Sequence, residues 1–490
     1  MRYNVIEIYA KLYKMEHIKI RLIIAALIVL TSICILIAAG DEIINAESKA
    51  SEYLTSKIFE IKYHQFCKKN NDMHKAYSEY TDDQIYNQSL YNKLPKLKNM
   101  IGLASHDMRK NVINQFPSKT YHIIRDDVDW NYVETSKGHY RYDKYLNQLL
   151  AYKKEGVKGE CIFTFNNKLY SHNGDEKDNI ANEERVHAYK KFVVEFVKYM
   201  KSQGITGLII EIINEPNVDI FFSSQGDYVK RYVEIVKPLY QEIKEIDNTA
   251  LIVTCNFAAG EGFHDKALKD LDKALNYGIA DCSDAISIHT YVNGIPENNN
   301  EYYNRLNFLV RNIHGIRIPL ICGEIGYSVC KSDNYEKGYK ILASEEERLK
   351  YIPRSILNNV RYGFLWTVIY CHRKVDEDIS TNSETLFGIF NMDGSPTKTA
   401  KEIDTLIEEI GDLVYAGVYL DDGSNVALQF IDKNGIVSYV AWSYCGNSYI
   451  VIDDNYYYID DRPKFIKGNT FKLKTDFDYK EKISHLNVTI

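Results

Sequence analysis

From about residue 97 to residue 410, short apolar runs alternate with longer stretches in which apolar positions recur every three to four residues. The runs Met100–Ala104, Tyr121–Arg125, Gly159–Thr164, Leu208–Ile213, Leu251–Thr254, Ala285–Ile288, Pro319–Cys322 and Phe364–Thr367 read as strands. Amphipathic helices fall between them, for example over Tyr142–Lys154, Glu184–Lys201, Asp227–Glu245 and Glu345–Val360. Ser344 followed by three glutamates marks an N-cap, and Pro353 is expected to kink the helix it starts. Eight such strand–helix units predict an α/β chain folded as a (β/α)8 TIM barrel over residues 97–410. A doubly wound open sheet is the alternative, but no glycine-rich phosphate loop follows the first strand.

After residue 410 the period shortens. Val414–Leu420, Val426–Ile431, Val437–Trp442, Tyr449–Ile452 and Asn455–Ile459 read as strands, with turns at Asp422-Gly423 and Asn434-Gly435. A small C-terminal all-β domain, β-sandwich-like, is expected over 411–490. Residues 40–96 are polar and rich in Lys and Tyr, and read as a stalk or linker.

Leu22–Ala39 carries no charged residue. At ~1.5 Å per helical residue this run spans ~27 Å, close to the hydrocarbon thickness of a bilayer. Arg2, Lys11, Lys14, Lys19 and Arg21 precede it, and Asp41, Glu42 and Glu47 follow. That asymmetry predicts an N-terminal transmembrane helix, with residues 1–21 cytoplasmic and the bulk of the chain extracytoplasmic. The rival is a cleaved signal peptide, for which Ala38-Ala39-Gly40 offers a processing site. The membrane is thus one expected partner.

Composition narrows the function classes. A net charge of −7 lacks the basic footprint of a nucleic-acid binder. No His/Asp/Cys cluster has metal-ligand spacing, so neither metal nor cofactor is expected. Nine cysteines are scattered, and Cys161, Cys255 and Cys322 lie in apolar runs as small buried hydrophobes. The 40 tyrosines suit a sugar-binding cleft but equally suit ordinary β-surfaces and cores.

Two runs carry the chemistry. Ile210-Glu211-Ile212-Ile213-Asn214-Glu215-Pro216-Asn217 is an apolar strand that ends in polar residues, at the edge where barrel enzymes hold their active sites. Pro216 is expected to keep Glu215 extended. Pro319-Leu320-Ile321-Cys322-Gly323-Glu324-Ile325-Gly326 ends likewise in a carboxylate, between two glycines that permit close backbone approach. These are strands four and seven, whose tips can face each other across a closed barrel. One acid that protonates a leaving oxygen and one carboxylate that attacks an anomeric carbon are what glycoside hydrolysis needs. A lone strand-end Glu is more often solvated or ion-paired; the pairing and its contexts favour catalysis.

In these motifs the sequence resembles glycoside hydrolase clan A, in which strand four ends in Asn-Glu-Pro. It is most similar to family 39 and its exopolysaccharide-hydrolase relatives, with the family 5 cellulase-like enzymes next. The resemblance implies Glu215 as acid/base and Glu324 as nucleophile, on a polysaccharide or oligosaccharide substrate. It implies that Asn214 bonds the sugar 2-hydroxyl, that Tyr291 orients Glu324, and that His289 belongs to the site; a satisfied core histidine is the alternative for His289. It implies that Arg125, at the end of strand two, holds the nucleophile ionised; pairing with Asp126 or Asp127 is the alternative. Trp366 at the end of strand eight would stack under the sugar, or only pack. Trp130 fits a family 39-like pattern in Arg125-Asp126-Asp127-Val128-Asp129-Trp130, and His106 after strand one would line the cleft. Glu211 shares the parity of Glu215 and reads as a buried partner of an Arg or Lys. Ile212 and Ile213 stand where the family carries aromatics, which weakens any transfer of substrate preference. The leading reading is a retaining glycosidase acting on an extracellular polysaccharide. A non-catalytic sugar-binding or assembly protein and a transglycosylase are the alternatives.

Overall fold

The computed structural model describes residues 57–65, 94–105, 116–117, 119–171, 179–331, 341–375 and 382–470. The chain divides into two compact units, Met1–Thr81 and Asp82–Ile490. In the first, residues 57–65 form a helix in which Phe59 and Tyr63, one turn apart, stack at 6.2 Å. The expected span at 22–39 and its flanks lie outside the described residues. Among those described, no helix is long and apolar enough to cross a membrane.

The second unit holds a closed barrel of eight parallel strands. They are β1 (Ile101–Ser105), β2 (Ile123–Val128), β3 (Lys158–Phe163), β4 (Ile209–Ile212), β5 (Leu251–Ala258), β6 (Ala285–His289), β7 (Leu320–Ile325) and β8 (Phe364–Ile369). Each pairs with its sequence neighbours, and β1 pairs with β8 to close the ring. β1, β4, β6, β7 and β8 are buried along their whole length, because side chains fill the inside and helices cover the outside. Those helices are α1 (Asp143–Lys154), α2 (Glu183–Ser202), α3 (Tyr228–Ile246), α4 (His264–Asn276), α5 (Asn300–Asn307), α6 (Glu345–Arg361) and α7 (Lys398–Ile410). Ser344 and Glu347 form the capping box that starts α6, and α6 continues through Pro353.

All eight expected strands are present, but several run further than their apolar stretches. β2 extends to Val128, β7 to Ile325 and β8 to Ile369. Arg125 and Trp366 therefore sit within the barrel rather than at its rim. The strand signal was cut short because polar residues interrupt the hydrophobic run, Asp126 and Asp127 in β2, Glu324 in β7 and Thr367 in β8.

The described part of the C-terminal domain has six strands where five were expected: β9 (Val414–Asp421), β10 (Asn425–Ile431), β11 (Val437–Ser443), β12 (Ser448–Ile452), β13 (Asn455–Ile459) and β14 (Lys464–Thr470). β9, β10, β11 and β14 form one sheet, and β12–β13 form a hairpin. Two lysines and a glycine hide β14 in the sequence. Ala427, Tyr439, Ile450 and Ile459 meet in a shared core, which also takes Leu94 from the segment read as linker.

This domain is fastened to the barrel by a buried ion pair. Glu297, in the turn after β6, accepts from Arg354 Nε of α6 at 3.0 Å and from Trp442 Nε1 of β11 at 2.8 Å. The same turn carries Asn299, whose amide donates to the Thr290 carbonyl at 2.8 Å, next to the tip of β6. Removing the cation would leave Glu297 buried and uncompensated, at a cost of about 3–5 kcal/mol. Arg354→Met should therefore lower the denaturation midpoint strongly, and adding Glu297→Gln should recover part of the loss. Additive losses in the double variant would show that the pair is not coupled.

Candidate active site

Arg125 of β2 is the hub at the C-terminal end of the barrel. Its side chain is 1% exposed. Nε donates to Glu211 Oε2 on β4 at 2.9 Å, and Nη2 lies 2.7 Å from the same oxygen in an ion pair. Nη1 donates to Glu324 Oε1 on β7 at 2.5 Å, and Nη2 reaches Asn214 Oδ1 at 3.0 Å and His289 Nε2 at 3.4 Å. Tyr291 donates its hydroxyl to Glu324 Oε2 at 2.7 Å. His289 Nδ1 lies 2.9 Å from Glu215 Oε1 and 3.7 Å from Glu324 Oε2. A guanidinium can only donate, so the ring nitrogen that meets it accepts. The imidazole proton then sits on Nδ1, directed at Glu215. One oxygen of Glu215 lies within 4.8 Å of one of Glu324. These two and His289 are also the one described group with the donor types to hold a metal ion. The guanidinium bonded to Glu324 already supplies the positive charge there.

The backbone around these groups is unusual in ways the sequence did not announce. β4 ends at Ile212, and both Ile213 and Glu215 take positive φ, 63° and 40°. Glu215 is therefore left-handed, not extended as expected. Pro216 disfavours only the right-handed helical region at Glu215, and the chain turns the other way. Such residues cost of order 1–3 kcal/mol each and need support from their surroundings. Asn256 on β5 supplies it with a bond to the Ile213 carbonyl at 3.0 Å. Asn217 adds two bonds of 2.9 Å to the backbone of Ala258. At Gly323, a Cβ would lie 2.3 Å from Ser287 Oγ and 2.9 Å from His289 Nε2. Only glycine lets β7 approach the imidazole this closely.

Electrostatics follow the geometry. Burial alone would raise the Glu324 pKa. His289, the Arg125 guanidinium and the Tyr291 hydroxyl more than reverse that and hold it well below the usual carboxylate range. Burial likewise opposes the charge of Arg125, and Glu211 followed by Glu324 hold it firmly cationic.

A cleft of about 880 Å³ opens above this floor. Asn214, Glu215, Tyr291 and Glu324 line it. Arg125 and His289 lie just beneath, fully buried, and act on the two glutamates. Glu211 is a buried partner of an arginine, as it was read, rather than the rival to Glu215 that strand parity alone would nominate. The tryptophans are a correction, since all three in the chain are 0% exposed. Trp366 lies mid-strand and donates to Glu160 Oε2 at 3.2 Å inside the barrel. Tyr370, one layer higher on the same parity, lines the cleft in its place. Trp130 donates to Glu134 and stacks between Tyr170 and Phe192, within the packing under the cleft. His106 lies outside the described residues. The wider lining includes Asp127, Asp129, Asn166, Glu261, Phe263 and Glu384. Asp127 and Asp129 stood in the acidic run around Trp130; the loop residues Glu261, Phe263 and Glu384 had no local signal.

No family model and no curated protein matches the sequence. Solved structures do resemble the fold. A family 39 glycoside hydrolase from the gut symbiont Bacteroides cellulosilyticus superposes with a TM-score of 0.61, at 20% identity over 79% of this chain and 82% of that one. A family 39 β-xylosidase from Caulobacter crescentus gives 0.53, at 15% identity over 73% and 80%. An endo-β1,6-glucanase gives 0.52, at 14% identity over 76% and 91%. The chain has the fold of clan A glycoside hydrolases of the family 39 kind.

Glu324 titrates lower in the folded chain than unfolded. Its ionised form therefore stabilises the fold above about pH 4.5, and that contribution is lost as the pH falls toward 2. The unfolding free energy of the parent minus that of Glu324→Gln should be level above pH 4.5 and decline below it. Curves that stay parallel down to pH 2 would place no such shift on Glu324.

Proposed function

We propose that this chain is a retaining glycoside hydrolase in which Glu324 is the nucleophile and Glu215 the acid/base. The observation that carries the reading is the approach of the two carboxylates to within 4.8 Å at the base of one cleft. Retaining enzymes hold their carboxyl groups ~5–5.5 Å apart, whereas inverting enzymes leave ~6.5–9.5 Å for a water.

Glu324 is ionised, and both its oxygens are held by donors that fix its direction of attack. Glu215 must arrive protonated. Its Oε1 accepts from His289, so the transferable proton sits on Oε2, turned to the leaving-group oxygen. Attack of Glu324 on the anomeric carbon forms a glycosyl ester, and the glycosidic oxygen leaves with the Glu215 proton. Glu215, now ionised, takes a proton from water as the water attacks the same carbon, which frees Glu324. Asn214 Oδ1 is held by Arg125, so its amide nitrogen is the group available to a sugar 2-hydroxyl.

The lining supports a substrate class. Beyond the catalytic pair it holds Asp127, Asp129, Glu261 and Glu384, and no Lys, Arg or His among the described residues. An acidic cleft disfavours uronates and sulfated sugars. The β-xylosidase and endo-β1,6-glucanase of like fold act, by their names, on β-linked neutral sugars. We infer a β-linked polysaccharide of uncharged or amino sugars, met outside the cell by a catalytic domain anchored through residues 22–39.

Glu324→Ala should lose turnover of aryl glycosides at least a thousandfold, with azide restoring an inverted glycosyl azide. Glu215→Ala should keep the first step for good leaving groups, and azide should give the retained product. Neutral aryl glycosides should react ahead of uronides. Parental rates in both alanine variants would remove the assignment.

The anchor rests on the uncharged run and its charge asymmetry. Full-length protein should stay with membranes through an alkaline carbonate wash. A soluble form beginning near Asp41 would show cleavage instead.

A further inference from the structure

Below the catalytic floor, β3 and β4 bring two further carboxyl groups together, Glu160 and Glu211. Both are 0% exposed, and they lie within hydrogen-bonding reach of each other. Glu160 Oε2 accepts from Trp366 Nε1 at 3.2 Å, and Glu211 Oε2 is the oxygen paired with Arg125. The remaining oxygens, Glu160 Oε1 and Glu211 Oε1, are buried, and no donor among the described residues reaches either. Two ionised carboxylates in this arrangement would leave two acceptors orphaned and repel each other. With Glu324 they would set three negative charges around a single guanidinium.

We propose that Glu160 and Glu211 hold one proton between them, and that Glu160 thereby acts as a positioning residue for the nucleophile. The proton bonds to Glu160 and is shared with Glu211 Oε1, which satisfies both orphaned oxygens and removes one charge. Glu211, left ionised and fixed from behind, clamps the Nε edge of Arg125. The clamp turns Nη1 of the same guanidinium to Glu324. Burial, and then the charge of Glu211, raise the pKa of Glu160, in keeping with a neutral acid there at ordinary pH. The chain of contacts thus runs from Trp366 through Glu160, Glu211 and Arg125 to Glu324, and gives the buried tryptophan a place in it.

This inference rests on the glycosidase reading for its kinetic consequence but not for its spectroscopic one. Glu160→Gln keeps a carbonyl for Trp366 and an amide donor for Glu211, whereas Glu160→Ala keeps neither. With an aryl glycoside, Glu160→Gln should stay within about twofold of the parent kcat/KM and keep its acid limb. Glu160→Ala should lose tenfold or more, mostly in kcat, with the acid limb moved to higher pH as Arg125 loosens from Glu324. Equal losses and equal limbs in the two variants would overturn the positioning role. Infrared difference spectra of protein labelled with ¹³C-glutamate test the proton directly, even without turnover. The parent at neutral pH should show the carbonyl stretch of a protonated carboxyl that Glu160→Gln lacks. Absence of that band in the parent would overturn the shared proton. If no glycoside is turned over by the parent while the band is present, the enzymatic reading fails and the proton pair stands.

Discussion

A single guanidinium organises the candidate site. Arg125 is buried inside the barrel, and such a charge persists there only when paired and fully hydrogen-bonded. Glu211 and Glu324 supply the opposite charges, and Asn214 and His289 supply further contacts. The pairing works in both directions. The carboxylates make the buried cation tolerable, and the cation keeps Glu324 ionised in a place where burial alone would protonate it. Because the partners come from β4, β6 and β7 and their ends, the arginine also ties the strand tips to one another.

The two glutamates have different environments, and the proposed roles follow from that difference. Glu324 is surrounded by donors on both oxygens. Glu215 meets one imidazole N–H and otherwise faces the cleft from a left-handed turn that Asn256 and Asn217 brace. A nucleophile has to be anionic and fixed. An acid/base has to exchange a proton with groups that come and go, so it needs an open side. The C-terminal domain contributes at a distance: Trp442 and Arg354 hold Glu297, and the turn that carries Glu297 braces the β6 tip from which Tyr291 extends.

Much of this was legible in the residues. The alternation of apolar strand and amphipathic helix dictates the barrel, since parallel strands buried on both faces must be continuous hydrophobic runs. The Asn214-Glu215-Pro216 and Gly323-Glu324 contexts pointed to both cleft carboxylates, and Glu211, which parity alone would have put beside them, was read as a buried ion-pair partner. What failed was position along a strand. An apolar run is read as ending at its first polar residue, so Trp366 was put at a rim that lies at Tyr370, and Arg125 at the end of a strand that runs on to Val128. Trp130 misled because a motif fixes neighbours in sequence, not which side of a turn is packed. Glu160 stood in Gly159–Thr164, an ordinary strand. Its interest arises only from the orphaned oxygen opposite it, which is a property of two strands and not of either one.

The central claim is that Glu324 forms a covalent bond to the sugar. The most direct measurement is trapping with a 2-deoxy-2-fluoro glycoside bearing a good leaving group, followed by mass spectrometry of the intact chain and its peptides. The account predicts one sugar per chain, carried on the peptide that contains Glu324, and none on Glu324→Gln. Prompt turnover with an inverted product and no trapped ester, or a label on another residue, would contradict it.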